Sequence, residues 1–139
     1  MKYTLPTDEK TVKANTTARI SHKNSTIVCR ALSRKKYIEA KTFLEKLKNK
    51  KTSIKGKYFT KTVEEILKFL EQLEANARNQ NIEPEPLYLF ISSHQGPKMQ
   101  RPRRRWGKFG TKMKICHIQA ILSEKNGFRK EIRERSDKE

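Results

Sequence analysis

Apolar residues at helical spacing define three candidate helices. Ser21 is a residue type that caps helix N-termini, and it precedes the first helix. Thr60 is the candidate cap of the third, with Glu64 and Glu65 near its positive end. The apolar faces comprise Ile27, Val28, Ala31 and Leu32 in the first helix, Tyr37, Ala40, Phe43, Leu44 and Leu47 in the second, and Val63, Ile66, Leu67, Leu70, Leu73 and Ala77 in the third.

Three shorter segments have the composition of β-strands. Residues 16–20 alternate and carry β-favouring side chains, whereas residues 87–91 and 115–122 are apolar runs typical of buried strands. In the last strand the period of two places Cys116, Ile118, Ala120 and Leu122 on one face and His117 and Gln119 on the other. The predicted fold is therefore α+β, with three helices packed on a small three-stranded antiparallel sheet. Residues 1–13 are polar and are expected to precede this fold as an extension.

The two apolar strands of the C-terminal half are joined by a long basic connection. Residues 98–114 contain eight basic residues and no acidic one, with Trp106 and Phe109 placed among glycines. At ~3.3 Å per residue, the leg from Pro97 to Trp106 reaches ~30 Å. A body of about 100 residues has a radius of gyration of only ~13 Å. The connection is therefore predicted to protrude as a β-hairpin arm (residues 95–115) from a single domain spanning residues 1–139, with a charged tail at residues 125–139.

The charge balance points to a polyanionic partner. The formal net charge is +18 and the isoelectric point is about 10.1. The charge is segregated, because residues 60–86 carry six acidic residues against three basic ones. A membrane is the weaker partner, since the N-terminus has no secretory apolar region and no run approaches ~20 apolar residues. Cys29 and Cys116 have no CxxC spacing and make no disulfide framework, which favours a reducing intracellular compartment.

Neither a catalytic site nor a metal site is expected. His94 and His117 could join Cys116 at a metal, but adjacent strand residues face opposite sides and a tetrahedral site needs four ligands. The glutamates of the third helix have no neighbouring histidine or phosphate-cradling loop, so they are interpreted as a solvated face. The sequence predicts no enzyme activity, no cofactor and no small-molecule substrate. The basic run could alternatively be a solvated surface, and Trp106 could belong to a separate core.

The chain resembles a known family over roughly residues 3–124, and the resemblance rests on four stretches. They are Arg19-Ile20-Ser21, Cys29-Arg30-Ala31, Glu74-Ala75-Asn76-Ala77, and the run Ile91-Ser92-Ser93-His94-Gln95-Gly96-Pro97-Lys98 with the Arg-rich segment after it. These stretches are similar to the universal large-subunit ribosomal protein called "L twenty-two" in bacteria and "L seventeen" in eukaryotes. Thr11-Val12-Lys13-Ala14 resembles its archaeal and eukaryotic branch. The loop between the second and third helices is shorter than is usual there, and the tail runs past the end of many members.

The resemblance implies a structural constituent of the large ribosomal subunit that binds large-subunit ribosomal RNA. Its partners would be that RNA, neighbouring large-subunit proteins and the nascent polypeptide in transit, because the family's hairpin lines the peptide exit tunnel. The expected RNA-binding residues are Arg19, His22, Lys23, Arg30, Arg34, Lys35, Lys36, His94, Lys98, Arg101, Arg103, Arg104, Arg105, Trp106, Lys108, Lys112 and Lys114. The expected tunnel-lining tip is Arg103, Arg104, Arg105, Trp106, Gly107, Lys108, Phe109 and Gly110. The main alternative is a basic architectural nucleic-acid-binding protein outside the ribosome.

Overall fold

The computed structural model describes residues 11–100 and 112–124. The expected tip and the expected C-terminal tail lie outside these residues. The described elements are β1 (Val12–Ala18), α1 (His22–Leu32), β2 (Lys35–Lys36), α2 (Tyr37–Lys48), α3 (Thr60–Asn79), β3 (Tyr88–Gln95), β4 (Met99–Gln100), β5 (Lys112–Met113) and β6 (Cys116–Ser123). The predicted α+β class, with three helices and an antiparallel sheet that includes a hairpin, is confirmed.

The main sheet has four antiparallel strands in the order β1-β6-β3-β2. The prediction of three strands is corrected by β2, a two-residue edge strand that has no apolar pattern of its own. It forms because Arg34 adopts a left-handed conformation (φ 69°) and turns the chain back along β3. The Arg34 amide then donates a 2.7 Å hydrogen bond to the Leu89 carbonyl oxygen, and the Tyr37 amide donates one of 3.0 Å to Leu87.

The core lies between the three helices and one face of the sheet. The predicted inward positions of β6, from Cys116 to Leu122, are all buried. The other face of β6 is partly covered, because Gln119 is only 3% exposed and Ile121 and Phe90 are buried as well. Phe90 pairs with Ile121 across β3 and β6, so part of the outer sheet face is also removed from solvent.

Two element boundaries differ from the sequence prediction. The first strand begins at Val12 rather than Thr16, because Val12 is fully buried and pairs with Leu122 in the register of β1 and β6. The polar extension is therefore shorter than expected. The N-cap of α3 is Phe59 (φ 48°) rather than Thr60, which is the first helical residue. Ser21 is the N-cap of α1 as predicted, although its hydroxyl makes no capping hydrogen bond.

Candidate nucleic-acid interface

The root of the predicted arm is a closely packed antiparallel hairpin. The β3–β6 register ends with His94 opposite His117 and Gln95 opposite Cys116. The Gly96 amide then donates a 3.0 Å hydrogen bond to the Ile115 carbonyl oxygen. Pairing resumes with Met99 opposite Met113 in the β4–β5 ladder. The two legs of the arm therefore leave the sheet together and stay paired beyond it.

Two adjoining basic depressions lie at this root, between the legs of the arm and the first residues of α1. The described lining of the first is Arg19, Ile20, Ser21, Asn24, Lys61, Thr62, Lys112, Met113 and Lys114. The described lining of the second is Ser21, His22, Lys23, Gln95, Gly96, Pro97, Lys98, Lys112, Met113, Lys114 and Ile115. Among these described lining residues none is acidic. Because the depressions share four residues, they form one basic surface, which we call the root surface.

The root surface brings together site residues that are far apart in the sequence. Six predicted residues meet there, namely Arg19, His22, Lys23, Lys98, Lys112 and Lys114. Lys61 was missed by the sequence analysis, although it lines the same depression as Arg19. From the sequence, Lys61 could be placed only in the first turn of α3. Nothing in the sequence indicates that this turn lies against the arm. The gathering of cations without described acidic neighbours suits the phosphates of a nucleic-acid backbone.

His22 is held in place by the strand beneath it. Its Nε2 donates to the Ser93 carbonyl oxygen at 3.3 Å, and the Thr26 hydroxyl donates to the His22 carbonyl oxygen at 2.9 Å. The hydroxyls of Thr26 and Ser93 lie 3.1 Å apart. These bonds fasten the first turn of α1 to β3, which fixes the exposed Lys23 beside the arm. The role of His22 is therefore partly to position this turn.

A second basic group lies at the opposite end of α1. Its members are Arg30, Arg34, Lys35 and Lys36. At 1.5 Å per residue, the eleven-residue helix separates the two groups by about 15 Å. Three of the four are exposed, whereas Lys35 is half-buried with its Nζ 4.1 Å from the centre of the Phe43 ring. Lys35 therefore makes a cation–π contact within the fold.

His94 lies on the outer face of the sheet, away from the helices. Its Nε2 lies 3.4 Å from the Ser92 hydroxyl, and it is opposite His117 in the neighbouring strand. The Nδ1 of His117 lies 2.8 Å from the hydroxyl of Thr17 on β1. This polar row runs across three strands next to the root of the arm. His94 is thus separate from the root surface, on a different face of the body.

The thiols and histidines do not converge on a metal site in the part of the chain that is described. Within residues 11–100 and 112–124 no group of three His, Cys, Asp or Glu residues is arranged to hold an ion. Cys29 and Cys116 are buried on the helix side of the sheet, and the Ser25 hydroxyl lies 3.8 Å from Cys29 Sγ. Burial raises the pKa of Cys29 to about 11, so this thiol stays protonated at neutral pH.

Two glutamates of α3, Glu65 and Glu74, form ion pairs and hydrogen bonds on another surface. Glu74 accepts hydrogen bonds from the Tyr37 hydroxyl at 3.2 Å, from Lys41 Nζ at 3.3 Å and from Arg78 at 2.8 Å. Burial favours the protonated form of Glu74, but these partners outweigh it and lower the carboxyl pKa. Glu65 pairs with Lys68 at 3.5 Å. Glu65 and Glu74 thus lie on the face of α3 that the sequence analysis interpreted as solvated, and the structure adds the ion pairs.

Nine of the expected arm residues lie outside the described residues: Arg101, Arg103, Arg104, Arg105, Trp106, Gly107, Lys108, Phe109 and Gly110. Their assignment to the RNA and to the tunnel stays a prediction from the sequence. Among the described helices, none is both long enough and apolar enough to cross a membrane.

Comparisons with known proteins show which family this chain is similar to. The sequence profile of the ribosomal protein L22p/L17e family matches residues 14–123. A Methanosphaera stadtmanae protein named large ribosomal subunit protein uL22 is 32% identical over 146 residues, covering 88% of this chain and 94% of its own length. A Methanopyrus kandleri protein of the same name is 29% identical over 153 residues, covering 88% of this chain and 95% of its own length.

The family profile spans the sheet, all three helices and both legs of the arm, and the relatives are archaeal. The predicted resemblance, including its archaeal-type branch, is confirmed. The chain belongs to the ribosomal protein L22p/L17e family and is a protein of the large ribosomal subunit.

Proposed function

We propose that this protein binds large-subunit ribosomal RNA through the root surface and the arm, and that the arm lines the nascent-peptide exit tunnel. The observation that carries the proposal is the root surface itself. Arg19, Lys61 and Lys112 converge at the foot of an arm segment that holds eight basic residues and no acidic one. Arginine pairs bidentately with phosphate, and lysine acts as a mobile point charge. The site holds RNA by charge and shape and performs no reaction.

The proposed partners differ between the body of the protein and the tip of the arm. The body and the root surface would contact the RNA and neighbouring large-subunit proteins, whereas the tip would border the nascent polypeptide. Trp106 and Phe109 offer aromatic planes on which unstacked RNA bases can stack. The protein would act in subunit assembly and translation as a constituent of the cytoplasmic ribosome.

A salt titration tests the contribution of the arm. Replacing Arg103, Arg104 and Arg105 with Gln should flatten the slope of log affinity against log salt by about 2.1–2.7 if each contacts a phosphate, at roughly 0.7–0.9 per lost phosphate contact. The matched control replaces Lys41, Lys68 and Arg78 with Gln, because these cations are paired with glutamates and the net-charge change is identical. The control should keep the wild-type slope. An arginine variant that also keeps it would exclude the arm as a phosphate-binding element.

Trp106→Ala separates stacking from charge. It removes base stacking worth ~1–3 kcal/mol and leaves the charge count unchanged, so affinity should fall while the salt slope stays constant. The variant should still enter subunits, because the body and the root surface are intact, but nascent chains should pass the tip of the arm in the exit tunnel differently. Equal binding of wild-type protein to duplex DNA and to ribosomal RNA would instead favour an architectural nucleic-acid binder.

A further inference from the structure

The connection between α2 and α3, together with the end of α2 and the start of α3, is a second dense cluster of positive charge, separate in sequence from the arm. Residues 46–61, which we call the lysine segment, contain seven lysines and no acidic residue. The seven are Lys46, Lys48, Lys50, Lys51, Lys55, Lys57 and Lys61. All seven are exposed, and none forms an ion pair with another described residue. The arm segment, with eight cations in residues 98–114, is only slightly more concentrated.

Backbone hydrogen bonds give the lysine segment a defined shape. At the end of α2 the Lys51 amide donates to the Lys46 carbonyl oxygen at 2.9 Å, and the Lys50 amide donates to Leu47 at 3.1 Å. This pair of bonds is the Schellman motif that closes helix C-termini. Further on, Ile54 and Lys57 exchange backbone bonds of 2.9 and 3.0 Å and close a tight turn. The lysines are therefore displayed on a hydrogen-bonded framework.

Lysine occupies two positions where the backbone favours glycine or asparagine. Lys50, at the end of α2, has φ 57°, and Lys55, in the tight turn, has φ 51°. Left-handed backbone conformations are strained for residues with a Cβ, and helix ends and tight turns of this kind prefer Gly or Asn there. If these lysines served only to keep the protein soluble, neighbouring positions without backbone strain would serve equally well. Since strained residues cluster at functional sites, the strain points to a use for these two charges.

The lysine segment adjoins the root surface. Its last lysine, Lys61, lines the same depression as Arg19 and Lys112. Two described depressions that contain glutamates lie along α2 and α3, and of the seven lysines only Lys48 lines one of them. Tyr58, next to the tight turn, is 39% exposed and offers an aromatic plane among the lysines. The lysine segment therefore meets the root surface at Lys61, and it contains a side chain on which a base can stack.

We propose that the lysine segment is a second RNA-binding element, which holds the phosphates of a strand next to the one engaged by the root surface. The proposal rests on the proposed function, because the ligand is the same RNA. Lys55 and Lys57 supply point charges at the turn, and Lys50 supplies one at the helix end. Tyr58 stacks on an unpaired base. Binding here depends on backbone phosphates and is therefore largely independent of base identity.

A charge-matched pair of variants tests the proposal with large-subunit ribosomal RNA transcribed in vitro. Lys55→Gln with Lys57→Gln should flatten the salt slope by about 1.4–1.8, and affinity in 0.1 M salt should fall at least about fivefold per lost contact. Lys68→Gln with Arg78→Gln removes the same charge from the glutamate-paired face of α3 and should leave the slope unchanged. Equal effects of the two pairs would overturn the proposal, because net charge alone would then explain them.

The outcomes distinguish this proposal from the function on which it rests. If wild-type protein fails to bind the RNA with a salt-dependent affinity, the proposed function itself fails. If the arm variant flattens the slope and the segment variant does not, only the lysine segment is excluded. If the segment variant binds free RNA normally but no longer enters subunits, the segment contacts an acidic protein surface, and the RNA assignment is wrong.

The strained positions provide an independent test. Lys50→Gly and Lys55→Asn place favoured residues at the left-handed positions, so each should raise the urea midpoint of unfolding. Each should also weaken RNA binding and flatten the salt slope by about 0.7–0.9. More stable variants with unchanged RNA affinity and slope would show that these lysines are ordinary surface residues. A lower urea midpoint would remove the strain argument on which the assignment depends.

Discussion

The close approach of the two arm legs at Gly96 makes a quantitative prediction for Gly96→Ala. A Cβ at this position would lie 2.7 Å from Ile115 Cγ2 and 3.0 Å from both the carbonyl carbon and the carbonyl oxygen of Ile115. The first distance is about 0.7 Å short of ordinary contact at 3.4 Å. Two of the three atoms are backbone and the third is a branched methyl group, so a change of side-chain rotamer alone cannot relieve the overlap.

The energetic cost follows from overpacking at a paired position. Forcing an extra methyl group into such a site costs about 1–3 kcal/mol. Weakening the 3.0 Å Gly96–Ile115 hydrogen bond adds about 1 kcal/mol, and the reduced entropy of the unfolded chain offsets about 0.4–1 kcal/mol. The expected loss in the free energy of unfolding is therefore about 1–3 kcal/mol. This is small against the ~5–15 kcal/mol typical of folded proteins, so the body should remain folded.

The functional effect should exceed the effect on stability. If the leg that contains Gly96 moves about 0.7 Å away from Ile115 over the length of one strand residue, that leg rotates by about 12°. Three residues beyond Gly96 the strand is then displaced by about 2 Å. Met99 lies at that distance, and its ladder includes Lys112, a residue of the root surface. The displaced lysine and arm should bind ribosomal RNA more weakly and enter subunits less efficiently than wild type.

Urea unfolding and RNA binding should be measured on Gly96→Ala, on Ile115→Ala and on the double variant. Ile115→Ala removes the methyl group that makes the 2.7 Å contact and leaves the two backbone contacts. The double variant should therefore recover part of the lost RNA affinity relative to Gly96→Ala. Wild-type stability together with wild-type affinity in Gly96→Ala would refute the reasoning, because the legs would then separate without cost.

Three further predictions concern the body. Tyr37→Phe should lower the free energy of unfolding by about 1 kcal/mol in urea titrations, because the hydroxyl bonds at 3.2 Å to both the Leu70 carbonyl oxygen and Glu74 are lost. Burial raises the pKa of Tyr37, so wild-type stability should decline as pH rises above about 10, and Tyr37→Phe should not show this decline. The carboxyl pKa of Glu74 is lowered from 4.5, so ionised Glu74 stabilises the fold above about pH 4.5, and this stabilisation is lost as the pH falls through the folded-state pKa. In an acid titration, Glu74→Gln should therefore lose less free energy of unfolding than wild type. Cys29 and Cys116 are buried and burial raises both pKa values, so a thiol reagent should label them only after unfolding, and rapid labelling of the native protein at pH 7 would contradict this.

Periodic elements could be predicted because each carries its own pattern. The apolar positions from Tyr37 to Leu47 recur at helical spacing, and α2 spans the helix they predict. Residues 115–122 likewise predicted β6, whose inward positions are all buried. The net charge and the uncompensated cations of the arm were also sufficient to predict a polyanionic partner. These properties are local, since each depends on residues that are neighbours along the chain.

Other features depend on which elements meet, and no local pattern encodes them. The strand β2 exists only because Arg34 turns the chain onto the free edge of β3, which satisfies the carbonyl groups of Leu87 and Leu89. Gln119 has the alternation of an outward residue, yet it is almost completely buried. The need for glycine at position 96 appears only when Ile115 is brought against it.

The candidate RNA-binding site likewise combines properties that local sequence predicts with properties that depend on packing. The net charge of +18 predicted a polyanionic partner, and the arm could be recognised from its eight basic residues without an acidic one. By contrast, the packing of the elements brings Lys61 next to Arg19 and Lys112 and gives Lys50 and Lys55 their left-handed conformations. The physical reason is that net charge and periodicity are sums over neighbouring residues, whereas a binding surface and backbone strain depend on distances that packing alone sets.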